Sequence, residues 1–176
     1  MRGHSGFTLI ELLVTLAVAA ILIAAATPSL GAFFRTNRVA GATNDVVLSL
    51  QLARAEAARR GRPVSICRST DGATCAAAGD WQAGWIVFQD ANATGAPAPA
   101  GAGSDLIRVF QPLDAAVTIA LTGAGFARFL ADGSSSIGAE ATFDVQVDGC
   151  TDRQRRRVLV NRLGRVRTLG VECDAP

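Results

Sequence analysis

The last 27 residues, Cys150 to Pro176, hold seven arginines against three acids, a net charge of +4. The stretch from Phe7 to Gly149 holds nine arginines against twelve acids, a net of −3, so the basic character belongs to the C-terminal end of the chain. There Arg155-Arg156-Arg157 leads into Val158-Leu159-Val160. Asn161-Arg162-Leu163-Gly164 then turns the chain into Arg165-Val166-Arg167. On a strand, Arg165 and Arg167 share a face about 7 Å apart while Val166 turns to the core. Forked, always-charged guanidiniums on one exposed ridge suit oxygen anions, phosphate above all. The competing reading is an edge strand that uses charge to block association. Charge alone leaves both open.

Other chemistry is scarce. All seventeen basic residues are arginine, and the only histidine is His4, ahead of a long apolar run. That composition excludes a Ser-His-Asp or Cys-His triad, a P-loop lysine and a Schiff base. Gly123-x-Gly125-x-x-Arg128 lacks the third glycine of a dinucleotide loop and runs into a strand. Asp144 and Asp148 share a strand face with Gln146 between them, which solvent-facing alternation explains better than a cation does. Asn92-Ala93-Thr94 matches a glycosylation sequon, a motif common by chance. Cys67, Cys75, Cys150 and Cys173 form no C-x-x-C pair, so a zinc site would need unusual spacing. In an oxidising compartment their proximity favours disulfides Cys67–Cys75 and Cys150–Cys173. The expectation is a protein that is no enzyme and needs no cofactor or metal.

The elements that must position these groups begin with an anchor. Phe7 to Ala26 is twenty residues with one charge, Glu11, and ends before Thr27-Pro28. About 20 helical residues cover a bilayer core of roughly 30 Å. A cut after Gly6 would leave this helix on the protein, which makes it an anchor and not a disposable signal. Glu11 in such a run has two readings. In a bundle it could pair with the new α-amino group of a neighbour's Phe7; alternatively it is an acid favoured by the helix N-terminus.

Beyond Pro28 the helix resumes. Val39, Thr43, Val46, Leu50, Ala53 and Ala57 step by three and four residues and so share one face, the spine for a sheet. Arg54 and Arg59 fall on other faces and are expected to add little to the C-terminal ridge. Gly61 and Pro63 stop the helix. Strands follow at Val64–Cys67, Gly84–Gln89, Leu106–Phe110, Val117–Leu121, Ala127–Leu130, Thr142–Val147, Val158–Arg162 and Val166–Val171. Residues 91–104, rich in Ala, Gly and Pro, read as a surface loop. Short strands with Gly-rich turns indicate antiparallel sheets.

Gly6-Phe7-Thr8-Leu9-Ile10-Glu11-Leu12 and its apolar tail resemble the leader and N-terminal helix of type IV pilins and pseudopilins. The resemblance implies cleavage between Gly6 and Phe7 by a prepilin peptidase, N-methylation of Phe7, and assembly through Glu11 into a fibre core. Pro28 matches that family's helix-kinking proline. Trp81-Gln82-Ala83-Gly84-Trp85-Ile86-Val87-Phe88-Gln89-Asp90 and Phe129-Leu130-Ala131-Asp132-Gly133 narrow it to the GspH/FimT family of minor pilins and pseudopilins. The implied fold is α+β: a long N-terminal helix packed on two small antiparallel β-sheets. The implied segments are a leader (1–6), a transmembrane half-helix (7–29), an amphipathic half-helix (30–61) and a β domain (62–176). Gly164-Arg165-Val166-Arg167 looks like the G-R-x-R motif of FimT-type minor pilins linked to DNA uptake, although Thr168 to Glu172 intervene before Cys173. That likeness implies sequence-independent binding of double-stranded DNA by Arg165 and Arg167, with Arg162 and Arg155, Arg156 and Arg157 assisting. The implied setting is the inner membrane with a periplasmic β domain, then a pilus. A structural pseudopilin of a type II secretion fibre is the alternative, with other pilins as partners in either case.

Overall fold

The computed structural model describes residues 7–90, 106–122, 125–136 and 141–173, apart from the side chains of 25–29. Gly6, the Pro28 side chain, the sequon at Asn92, Gly123 and the loop at 91–104 therefore lie outside the described residues. Helix α1 (Leu9–Arg60) is shared between two compact units, Met1–Arg35 and Thr36–Pro176.

In the first unit α1 starts at a side-chain cap: the Glu11 amide donates to Thr8 Oγ1 at 3.3 Å, which places Glu11 in the first turn. The apolar side chains that follow are open to solvent, Ile21 being 69% exposed and Leu9 77%. Such a surface needs lipid or other helices around it. Among the described residues no helix is long and apolar enough to cross a membrane. The described apolar side chains of α1, Leu9 to Ala24, reach about 24 Å, short of the roughly 30 Å hydrocarbon core. The expected run to Ala26 extends past them.

In the second unit the helix buries the stripe its periodicity dictates. Val39, Thr43, Val46, Leu50, Ala53 and Ala57 are all 5% exposed or less, joined by Ala42. The chain leaves α1 through Gly61, and Arg62 N donates back to Ala57 O at 3.3 Å, which closes the last turn before Pro63.

Two four-stranded antiparallel sheets pack on this stripe. In the first, β1 (Val64–Arg68) lies between β2 (Trp85–Gln89) and β5 (Phe126–Phe129), and β3 (Leu106–Phe110) flanks β2. In the second the order is β4 (Val117–Thr122), β6 (Ala141–Val147), β7 (Arg155–Val160) and β8 (Val166–Val171). Strand β6 alternates cleanly: Ala141, Phe143, Val145 and Val147 enter the core, while Thr142, Asp144 and Gln146 face outward. Strand β2 is buried on both faces. Trp85 and Val87 join the helix-side core, while Ile86 and Phe88 sit with Cys67 on the other side, covered by Cys75, Val109 and Phe126.

The disulfides are Cys67–Cys75 and Cys150–Cys173, the pairing that sequence proximity favoured. The β7 boundary differs from expectation. The strand begins at Arg155 and ends at Val160, so the arginine triplet belongs to the ladder and not to its approach. Pairing across to β8 explains the shift, because Arg155 stands opposite Val171, Arg156 opposite Gly170 and Arg157 opposite Leu169.

Candidate functional site

The segment from Arg153 to Val171 contains no acid, and its hairpin turn is built by three elements. Within the hairpin, Gly164 N donates to Asn161 O at 2.9 Å, and Arg165 N donates to Asn161 Oδ1 at 2.9 Å. The Phe129–Gly133 turn docks on it, with Ser135 N donating to Arg162 O at 2.9 Å. The third element is α1. Arg54 Nε donates to Gly133 O at 3.0 Å and its Nη2 donates to Leu163 O at 3.2 Å, so one guanidinium fastens both turns.

Gly164 is buried where these parts meet, at φ +70°. A Cβ there would lie 2.1 Å from Gly133 O and 3.1 Å from Arg54 Nε. The glycine of Gly164-Arg165-Val166-Arg167 is thus required by the close approach of two backbones as well as by its left-handed conformation.

Val166 pairs with Val160 and packs against the core, so the flanking arginines alternate away from it. Arg165 and Arg167 are exposed, and among the described residues neither side chain makes a hydrogen bond or ion pair. Beside them, Gln51, Arg54 and Gly164 to Arg167 line a groove of about 350 Å³. The acids of this region lie elsewhere: Asp152 and Glu172 line a separate groove with Arg153 and Cys173. Asp132, on the neighbouring turn, is held below the usual carboxylate range by the hydroxyl and then the amide of Ser134.

The other expected ridge members are placed differently. Arg155 and Arg157 converge on Asp144, with N–O distances of 3.3 and 2.8 Å. Their charge is partly neutralised, and Asp144 is an ion-pair partner and not a cation ligand. Arg156 lies over Gly170 and donates to Arg153 O at 2.8 Å. Arg162 is exposed at the hairpin tip beside Leu163, which is 64% exposed. Among the described residues no cluster of three or more metal-ligating side chains occurs. Arg54 departs furthest from expectation, because it is part of the site's framework and not a bystander on the helix. Arg59 does stand apart, hydrogen-bonded with Arg60 to Glu56. Those two bonds, Arg59's first, pull the Glu56 carboxyl down to about 2.

Sequence reasoning also passed over a buried pair. Arg128 and Asp90, 3% and 0% exposed, are hydrogen-bonded ion partners with Ser65 Oγ completing the cluster on β1. The signal was available: Arg128 interrupts the apolar strand Phe126-Ala127-Arg128-Phe129, and a buried arginine needs an acid.

Comparison with known proteins gives two family matches. Residues 42–164 match the sequence model of the type II transport protein GspH, and residues 1–27 match the prokaryotic N-terminal methylation motif. No curated protein matches. Among solved structures, the fold is similar to that of the type IV minor pilin FimU of Pseudomonas aeruginosa (strain PAO1) in two crystal forms. In space group P21 the identity is 24%, covering 78% of this chain and 92% of that one, with a TM-score of 0.58. In space group P65 the values are 23%, 73%, 90% and 0.54. At these identities the likeness is one of fold.

Proposed function

The chain belongs to the GspH family of pilin-like proteins, and from that premise we propose that it is a minor type IV pilin that binds double-stranded DNA and supports its uptake. The observation that carries this reading is the pair Arg165 and Arg167, exposed and without a partner among the described residues, while Arg155 and Arg157 next to them are engaged by Asp144. Alternate residues of an extended chain stand about 7 Å apart, a separation that suits successive phosphates of one DNA strand, and such contacts position without reading sequence. The resemblance of Gly164-Arg165-Val166-Arg167 to the G-R-x-R motif points the same way. Arg162 and Arg156 add field at the same hairpin. The N-terminal methylation motif supports an anchored subunit cut after Gly6, methylated on Phe7 and delivered from the inner membrane to a fibre. In the fibre Glu11 would meet the Phe7 amine of a neighbouring copy.

The test is binding of the protein to random-sequence duplex DNA across a salt series. Each phosphate contact contributes about 0.9 to the slope of log K against log salt. Replacing Arg165 and Arg167 by Gln should therefore flatten the slope by nearly two units. Arg62→Gln with Arg108→Gln, at exposed positions in the α1–β1 turn and on β3, removes the same charge and should leave the slope close to wild type. Equal losses in both variants would reduce the effect to bulk charge and remove the site.

A second reading is favoured by the description of the matched family, type II transport. In it the chain is a structural pseudopilin of a secretion fibre, acting through contacts with other pseudopilins. Absence of DNA binding near 50 mM salt, together with crosslinking to such subunits, would establish that reading over the first.

A further inference from the structure

We propose that Arg54, on α1, is a positioning residue for the DNA-binding turn: it sets the conformation in which Arg165 and Arg167 engage neighbouring phosphates. The inference rests on the DNA-binding reading above. Arg54 lies more than a hundred residues from the motif it serves, on an element whose other side is committed to the core. Its Nε and Nη2 are bonded to Gly133 O and Leu163 O, one carbonyl on each of two turns. Leu163 directly precedes Gly164-Arg165, so its carbonyl belongs to the peptide plane that aims the chain into β8. Gly133 O is the atom that Gly164 abuts. Arg54 thus holds both sides of the closest backbone approach in the site, and it lines the same groove as Arg165 and Arg167.

The guanidinium is what makes this possible. Two N–H groups in one rigid plane reach two acceptors at a fixed separation, whereas an ammonium on a flexible stem is a point donor that cannot hold that geometry. Arg54 also places a positive charge against two carbonyl oxygens at the edge of the groove, which reduces the negative dipole facing an incoming phosphate. A residue that simply stapled the fold together would act on global stability. One that aims the turn acts on the local order of residues 161–167 and on how many phosphates are engaged at once.

The experiment compares the full-length protein in detergent micelles with Arg54→Lys and Arg54→Gln. Fluorescence anisotropy with a labelled random-sequence 20-bp duplex is read between 50 and 200 mM salt. Amide exchange is followed at Gly164 and Arg165, whose N–H groups are bonded to Asn161. Arg54→Lys keeps the charge, yet should weaken binding about tenfold, lower the salt slope by about 0.9, the value of one phosphate contact, and speed exchange at those amides about tenfold. Arg54→Gln should match it in slope and exchange. Amides in the paired strand β6 should exchange as in wild type, which separates loss of aim from loss of fold. If Arg54→Lys binds as wild type while Arg54→Gln does not, Arg54 acts as a charge and the inference is overturned. Unchanged exchange at Gly164 and Arg165 overturns it too. In both cases the DNA reading survives, provided that Arg165→Gln/Arg167→Gln still flattens the slope. Absence of binding by wild type removes both together.

Discussion

Gly164→Ala puts the construction of the arginine turn under direct test. Two costs separate. The first is conformational: at φ +70° an L side chain sits in the left-handed region, at about 1–2 kcal/mol. This is offset by about 0.4–1 kcal/mol because alanine narrows the unfolded ensemble. The second is steric. The new Cβ would stand 2.1 Å from Gly133 O, a backbone atom that cannot swing aside, so the two turns must part by about 1 Å. Overpacking of this kind costs about 1–3 kcal/mol. Gly149 supplies the comparison, since it has φ +66° but nothing within 4 Å of its would-be Cβ. Gly149→Ala should therefore carry only the first cost, roughly 0.5–1 kcal/mol, and Gly164→Ala roughly 2–4 kcal/mol. At about 3 °C per kcal/mol for a domain of this size, the melting temperatures should fall by roughly 2–3 °C and 6–12 °C. Near-UV circular dichroism is a suitable readout because Trp81 and Trp85 are both buried in the β domain. Equal shifts in the two variants, or a Gly164→Ala protein that melts like wild type, would refute the close-approach argument.

Three further outcomes are expected. Removing Cys150–Cys173 should lower the melting temperature more than removing Cys67–Cys75: with sequence separations of 23 and 8, loop-closure entropy gives roughly 3.4 against 2.5 kcal/mol. The reverse order would show that strain or residual structure governs these links. Glu56 has a folded pKa lowered from 4.5 to about 2, so the stability it contributes is present above pH 4.5 and lost as pH falls towards 2. The difference in melting temperature between wild type and Glu56→Gln should accordingly shrink over that window, and a gap undiminished at pH 2 would contradict the assignment. Mass spectrometry of chain recovered from native membranes should find N-methylated Phe7 as its first residue; retention of Met1 to Gly6 would argue against pilin processing.

The helix stripe was readable because a 3.6-residue repeat is written into consecutive turns, and every position from Val39 to Ala57 chosen on that basis is buried. The first strand was readable by its alternation, and most others as short apolar runs bounded by turn residues. The β7 boundary was not. Arg155-Arg156-Arg157 has no apolar alternation, and it is strand only because Asp144 and β8 stand beside it. Arg54 was illegible for a deeper reason: its partners are backbone carbonyls 79 and 109 residues away, which carry no sequence signature at all. The charge of Arg165 and Arg167 and their place on the surface were readable because both are local properties. How their turn is held could not, because a close approach of Gly133 to Gly164 is a property of the assembled fold.

Strand β8 is the outermost member of its sheet, and outer strands offer unpaired backbone groups to any other strand that approaches. A fibre crowds many copies of a subunit together, which is where such edges would zip. Arg165 and Arg167 sit at the start of this one, and like charges on approaching copies repel. The arginines that we propose attract DNA would therefore also keep one subunit's edge from adhering to another's. On the proposed reading, solubility and DNA capture would depend on the same atoms, so a substitution that weakens one would weaken the other. A ridge variant that precipitates would be reporting on the edge as much as on the site.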